Sequence, residues 1–427
     1  MNPSSKICAQ LYQLAEEYNG QNVVRNLSGV DVLIIQRLEE ADYILRRNAK
    51  NYRKNMAWLR QMLGASRFSE DGRAWEIRRQ LTQTYFNTFD REKTFSLARN
   101  YALAALDRLV AQSLSRETLD DDILRTMTAS VLIDNFFGAK LEETELDLSL
   151  LAQLMQYGSE YSFVPHGRTG KLYRERLLQL TELRKKMLHA LHYFRDGRAP
   201  STSLLDDLLD ADRRMEDRVV LEHELMAFIA AGSETSAAAM GWLCYLLAKH
   251  PDIQERLRSL AKNFWLTRQP SWQDLSSLEP LSQFVSETLR LYPPTPIVAR
   301  YAIDADQLSD KNIEAGQNVM ISFIGVQHDR RFRADPWALN IDSHKNQKIS
   351  GGNMAFSIGP RICGGKHFAM VEVTTFLSVF LDKVRLELTS DAPPAFHWKS
   401  QMLREGGQPV RFHWLDAKIS SANTMTA

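Results

Sequence analysis

The 427-residue chain carries 53 Lys+Arg against 52 Asp+Glu, a formal charge of +1, with 44% hydrophobic residues. That apolar share is too high for a disordered chain, and the balanced charge offers no general attraction to a phosphate backbone, which argues against nucleic acid as a partner. Cys8, Cys244 and Cys363 are too few and too scattered for a disulfide framework or a thiolate zinc site, and they point to a reducing, cytoplasmic setting.

Met1 to Gly20 has no apolar core of signal-peptide length and no anchor of roughly 20 residues. A soluble, monomeric protein is expected. Strand-like pieces follow at 21–36, then helical periodicity over 70–115, 121–138, 168–195 and 217–250. Short strands are predicted again at 296–303 and 317–324, a helix at 366–383, and strands at 384–389 and 408–414. Gly, Pro and Asn cluster at 333–353 and 391–409, which read as long ordered loops, and 420–427 reads as a disordered tail. A length prior of roughly 150 residues per domain suggests two or three domains. No linker, repeat or charge block supports a division. The reading is one mainly α unit, 1–427, with small peripheral β-sheets.

Leu225 to Ala248 is the most apolar stretch and is long enough to span a bilayer. Glu234 near its middle argues against that, because an unpaired carboxylate in hydrocarbon costs several kcal/mol. A helix apolar all round otherwise runs through the centre of a large soluble protein. Its interior is unusual. Gly232 costs about 1 kcal/mol relative to Ala, and Thr235 can hydrogen-bond back to the Ala231 carbonyl. The run Ala231-Gly232-Ser233-Glu234-Thr235-Ser236 therefore predicts a local distortion carrying an acid and a hydroxyl.

Phe356-Ser-Ile-Gly359-Pro-Arg361-Ile-Cys363-Gly364-Gly365 runs directly into the helix at 366. A phosphate loop fails on register, because Gly365 stands where the lysine should be. A thiolate ligand fits better. Glycines let the backbone approach a flat ligand, and the coming helix N-terminus favours a thiolate and a lowered pKa at Cys363. Arg361 can present a guanidinium to a carboxylate nearby.

With these residues the chain resembles the cytochrome P-450 family. Phe356, Gly359, Arg361, Cys363 and Gly365 match its FxxGxRxCxG loop, extended by Ala369 and Glu372. Ala231 to Ser236 match its oxygen-activation motif. Glu287 and Arg290, followed by Pro293-Pro294, match ExxR, and Trp75 with Arg79 match WxxxR. The resemblance spans about residues 20 to 415 and implies the P-450 fold, with haem b between the central helix and the cysteine loop. It implies Cys363 as the axial thiolate on iron, and Trp75, Arg79, Arg300 and Arg361 as candidates to hold the haem propionates. Phe356 and Gly365 complete the cofactor-binding set. Glu234 and Thr235 would lie over the distal face and handle protons for oxygen activation. Glu287 and Arg290 would form a buried structural pair supporting the loop.

One departure stands out. The family usually adds an arginine some 10–20 residues before the loop, where this chain has Ser343 and His344. His344 is the expected substitute.

The implied activity is monooxygenation, by hydroxylation or epoxidation with O2, of a small apolar molecule in bacterial specialised metabolism. Desaturation, coupling or rearrangement is the alternative within the family. A non-catalytic haem-thiolate sensor is the alternative outside enzymes. No flavin- or iron–sulfur-binding segment is left over, so a separate ferredoxin and ferredoxin reductase are the expected electron donors. Candidate pocket walls are Met56, Leu59, Met62, Phe228, Ile229, Ala231, Ile297, Val298 and Leu403, although such a set is more often plain core.

Overall fold

The computed structural model describes residues 3–27, 30–54, 56–162, 171–197, 199–200, 202–215, 218–266, 269–309, 311–342 and 353–415. The tail expected at 420–427 lies outside them.

The first helices are α1 (Pro3–Tyr18), α2 (Leu38–Asp42), α3 (Ala57–Leu63), α4 (Gly72–Asn87) and α5 (Arg91–Ser115). The periodic stretch 70–115 is thus two helices. Asp90 divides them, accepting a 2.8 Å hydrogen bond from the Lys93 amide as the cap of α5. Next come α6 (Asp121–Phe137), α7 (Leu148–Ser162), α8 (Lys171–Arg195) and α9 (Ser203–Arg213). Asp120 caps α6 and Thr202 caps α9, each by accepting an amide hydrogen of the first turn.

The central rod is α10 (Leu221–Ile229) and α11 (Thr235–Lys249), joined by a π-turn over Ala230–Glu234. Every residue of α11 from Ser236 to Ala248 is buried, so the apolar run is the middle of the molecule. Then follow α12 (Pro251–Leu266), α13 (Glu279–Leu291), the short α14 (Phe323–Gln327) and α15 (Lys366–Lys383). The rod packs against α6, α12, α13 and α15. Among the described residues, no helix is long and apolar enough to cross a membrane.

The largest sheet joins β1 (Val23–Leu27), β2 (Val30–Ile35), β3 (Tyr52–Lys54), β4 (Ile297–Ala302) and a later strand, which lies between β2 and β4, with β1 and β3 at the edges. Strands β5 (Asp306–Leu308) and β6 (Lys311–Ile313) pair with each other, and β7 (Asn318–Ser322) lies between β2 and β4. The β3–β4 register sets Lys54 opposite Arg300. Strand β8 (Val384–Leu388) pairs with β11 (Val410–Trp414). Strands β9 (Phe396–Trp398) and β10 (Met402–Arg404) form a small hairpin inside the stretch read as loop. Three-residue strands are too short to show alternation, so punctuation dominated that reading.

Candidate active site

The π-turn is built by the residues that marked it in the sequence. A Cβ on Gly232 would sit 2.1 Å from Leu132 Cδ1, the tip of a flexible side chain on α6, so a larger residue here would have to push that tip aside. The Ser233 hydroxyl donates to the Ile229 carbonyl at 2.6 Å, and the Thr235 hydroxyl donates to the Ala231 carbonyl at 2.7 Å. From α6, the Thr128 hydroxyl donates to the Ser233 carbonyl at 2.9 Å. Side-chain hydroxyls thus serve carbonyls that the widened ladder leaves short of partners. Glu234 is 5% exposed, and its Oε1 lies 2.7 Å from Arg125 Nε on α6. Burial pushes its pKa up to about 7 while Arg125 opposes the shift, so the carboxyl is poised near neutrality.

The cysteine loop turns back on itself. Gly359 has φ 76°, and the Cys363 amide donates to the Phe356 carbonyl at 2.9 Å before α15 begins at Lys366. Gly365 occupies the cap position of α15, and a Cβ there would meet nothing within 4 Å. The Cys363 thiol pKa is raised, not lowered. Burial outweighs the Gly365 N–H, Arg67 and Lys366, which act in the direction the sequence suggested. Among the described residues, Cys8 and Cys244 are buried and Cys363 is exposed. Its accessible surface opens into surroundings that are otherwise crowded with protein.

Beside the loop lies a group of cations. Arg361 ion-pairs with Asp71 and donates to the Glu70 carbonyl at 2.9 Å, while its Nη1 has no hydrogen-bond partner among the described residues. Its guanidinium carbon stacks 3.8 Å from the Trp75 ring centroid, and that of Arg79 lies 5.1 Å from the same ring. Arg300 is 5% exposed. Burial lowers the pKa values of Arg67, Arg300 and Arg361 to about 10 each and drops Lys54 well below its usual value. Arg300, Arg361 and Arg67 add repulsion at Lys54, and Asp71 is the acid that relieves it. These buried and half-buried cations outnumber the acids that face them, Asp71 and Glu224, and call for further anions. The two propionates of a haem fit that demand. Trp75, Arg79, Arg300 and Arg361 are thus brought together as the sequence suggested. Lys54, Arg67 and Asp71 join them, missed because their contacts are long-range.

Glu287 and Arg290 are fully buried and doubly bonded, Nε to Oε1 at 2.7 Å and Nη2 to Oε2 at 2.9 Å. Arg290 also donates to the carbonyls of Gln327, Pro336 and Ala338, which ties down the strand-free segment before the loop. A further arginine does complete this network. Arg333, 8% exposed at its side chain, places Nη1 3.4 Å from Glu287 Oε1. His344, the expected substitute, lies outside the described residues. Arg333 was missed because it precedes the usual sequence window, in a segment whose path cannot be inferred from spacing.

Glu372 on α15 is 1% exposed, and burial pushes its pKa up to about 8, with Ser236 of α11 drawing it back. A raised folded value means the native state holds a proton that the unfolded chain releases near 4.5, so stability falls as pH rises from about 4 to 8. Glu372→Gln is expected to remove on the order of 3 kcal/mol of that loss. Urea unfolding at pH 5 and pH 8 measures it; an unchanged difference between the two would refute the assignment.

The expected pocket walls differ in their surroundings. Leu59, Met62, Ile229 and Leu403 are at most 8% exposed and fill packed positions. Met62 occupies the space of a side chain that Gly158 on α7 lacks. Leu403 borders a polar recess lined by Asp121 and Lys399. Ile297 and Val298, adjacent on β4, pack against different apolar clusters. Met56, Phe228 and Ala231 are half-buried, and Phe228 packs 5.3 Å from Phe86, which in turn lies 5.2 Å from Phe136. Phe136 meets Phe368 of α15 at 5.0 Å, so an aromatic chain links the central rod to the cysteine helix.

The family model described as Cytochrome P450 matches residues 3–409. The chain belongs to the cytochrome P450 family. It is a haem-thiolate monooxygenase, an oxidoreductase whose family carries haem b on a cysteine thiolate. It is similar to Cytochrome P450 72A13 of Arabidopsis thaliana, 27% identical over 390 residues, covering 84% of this chain and 74% of that one. It is also similar to the Cytokinin hydroxylase of Arabidopsis thaliana, 25% identical over 364 residues, 78% of this chain and 70% of that one. Leukotriene-B4 omega-hydroxylase 3 of Mus musculus is 30% identical over 267 residues, 60% of this chain and 50% of that one. The chain thus spans half to three quarters of these relatives. They come from plant and animal, so they lend no support to a bacterial placement.

Proposed function

We propose that this protein hydroxylates a small, mostly apolar organic molecule, with O2 as oxygen source and electrons from a separate protein. The observation that carries it is the π-turn, which sets Thr235 and Glu234 together in an otherwise apolar helix. When bound, the haem supplies oxygen activation and the two-electron chemistry. Cys363 holds it by its sulfur, and Arg361, Arg79, Arg300 and Trp75 hold its carboxylates. Phe356 and Gly365 frame the thiolate. Thr235 presents a hydroxyl for a proton, and Glu234, with a pKa near 7, resupplies it. Two of the relatives are hydroxylases by name, which supports hydroxylation as the outcome. Half-buried Met56, Phe228 and Ala231 are the pocket residues retained, which favours an apolar ligand.

A carbon monoxide difference spectrum of the reduced protein tests the thiolate, and a low-to-high-spin substrate panel tests the ligand class. A ferredoxin with its reductase is the first donor to try, against a diflavin reductase. In Thr235→Ala, product formed per NADPH is expected to fall about tenfold or more, with peroxide rising. Unchanged coupling would sink the role given to Thr235.

A further inference from the structure

Helix α6 runs antiparallel to the π-turn and α11, and polar contacts recur along their seam. Leu132 meets Gly232, Thr128 bonds the Ser233 carbonyl and Arg125 reaches Glu234. At the far end Asp121 Oδ1 and Gln408 Nε2 each lie 3.6 Å from where a Cβ on Gly241 would be. Both side chains thus close on the same face of α11, at ordinary van der Waals distance. A recess of about 280 Å³ opens there, walled by Asp120, Asp121, Lys399, Arg404, Gly406 and Gly407. Gln408 Oε1 and Arg404 Nη1 are buried with no hydrogen-bond partner among the described residues. Water entering the recess can satisfy buried polar atoms of this kind, and Asp121 itself lines the recess.

We propose that this recess is where the proton for Glu234 is taken up, with Asp121 relaying it through water and Arg125 as the residue that positions the Glu234 carboxylate. The proposal rests on the reading of Glu234 as the proton-supplying acid. Asp121 faces Arg125, Asp120 and Asp122 on its own helix and Lys399 from the β9–β10 turn; Glu234 faces Arg125, Asp121 and Asp122. Burial lifts Asp121 to about 6, close beneath Glu234 at about 7, so a proton can move inward at little cost. The Asp121 carboxyl gives its proton to water, the Glu234 carboxylate takes one from water, and solvent in the recess reprotonates Asp121. No electrons move. Arg125 keeps its charge throughout and holds the Glu234 carboxylate in line.

The test uses holoenzyme with the wild-type chain, Asp121→Asn, Asp121→Glu and Glu234→Gln. The carboxyl infrared band lost in Glu234→Gln reports the Glu234 titration without turnover. In Asp121→Asn its midpoint is expected to fall, because a like charge is gone, and the solvent deuterium isotope effect on product formation is expected to rise at least twofold. Asp121→Glu is expected to restore the isotope effect. An unchanged midpoint or isotope effect in Asp121→Asn, beside a Glu234→Gln that loses coupling, overturns the route and leaves Glu234 in place. Full coupling in Glu234→Gln overturns both.

Discussion

Glu287→Ala is expected to destabilise the protein by about 3–5 kcal/mol, because it leaves buried cations without their acid. Arg290 is 1% exposed and Arg333 is nearly as enclosed, and both lean on the Glu287 carboxylate. The replacement also frees the Asn340 amide, which donates to Glu287 Oε2 at 3.3 Å. Arg290 would keep its bonds to the Gln327, Pro336 and Ala338 carbonyls but lose the group that fixes its plane. Arg333→Ala removes only the outer cation, keeps the doubly bonded pair, and is expected to cost about 1–3 kcal/mol. Urea unfolding and haem content measured together check both. A Glu287→Ala protein within 1 kcal/mol of wild type, or an Arg333→Ala protein as damaged as Glu287→Ala, would refute this arrangement.

The contrast between these two arginines shows where sequence reasoning stops. Glu287 and Arg290 are one helical turn apart, so their pairing is legible from spacing alone, although burial raises it far above the few tenths of a kcal/mol of a surface pair. Arg333 acts across a loop, 46 residues from Glu287 by their numbers, and nothing local marks it. The same holds for Arg125. It belongs to a helix that is buried almost all round, and only the crossing of α6 over the π-turn gives it meaning. The π-turn itself was legible, since glycine and back-bonding hydroxyls act within a single turn. The thiol of Cys363 shows the opposite limit. The helix N-terminus was readable, but the degree of burial that overrides it was not. Periodicity found the central rod, and three-residue strands such as β9 and β10 escaped it.

Gly359→Ala is expected to break the cysteine loop while leaving the helices standing. At φ 76° a side chain is strained by about 1–2 kcal/mol, and a Cβ there would lie 2.0 Å from the Leu45 carbonyl oxygen. That neighbour is backbone, in the π-turn Tyr43–Arg47 that packs on the loop, and backbone cannot yield as a side chain can. The combined cost is about 3 kcal/mol or more. Relief requires the loop to move, and with it Arg361 and Cys363, four residues on. The reduced carbon monoxide complex should therefore lose its thiolate Soret band while far-ultraviolet circular dichroism stays helical. Gly365→Ala is the control. Its φ of −85° suits any residue and its Cβ would meet nothing within 4 Å, so stability should stay within about 0.5 kcal/mol of wild type. If Gly365→Ala folds normally but takes up haem poorly, the open side of Gly365 is where the flat ligand lies against the backbone. A Gly359→Ala protein with an intact thiolate band would show that the Tyr43–Arg47 turn can give way, contrary to the packing seen at Leu45.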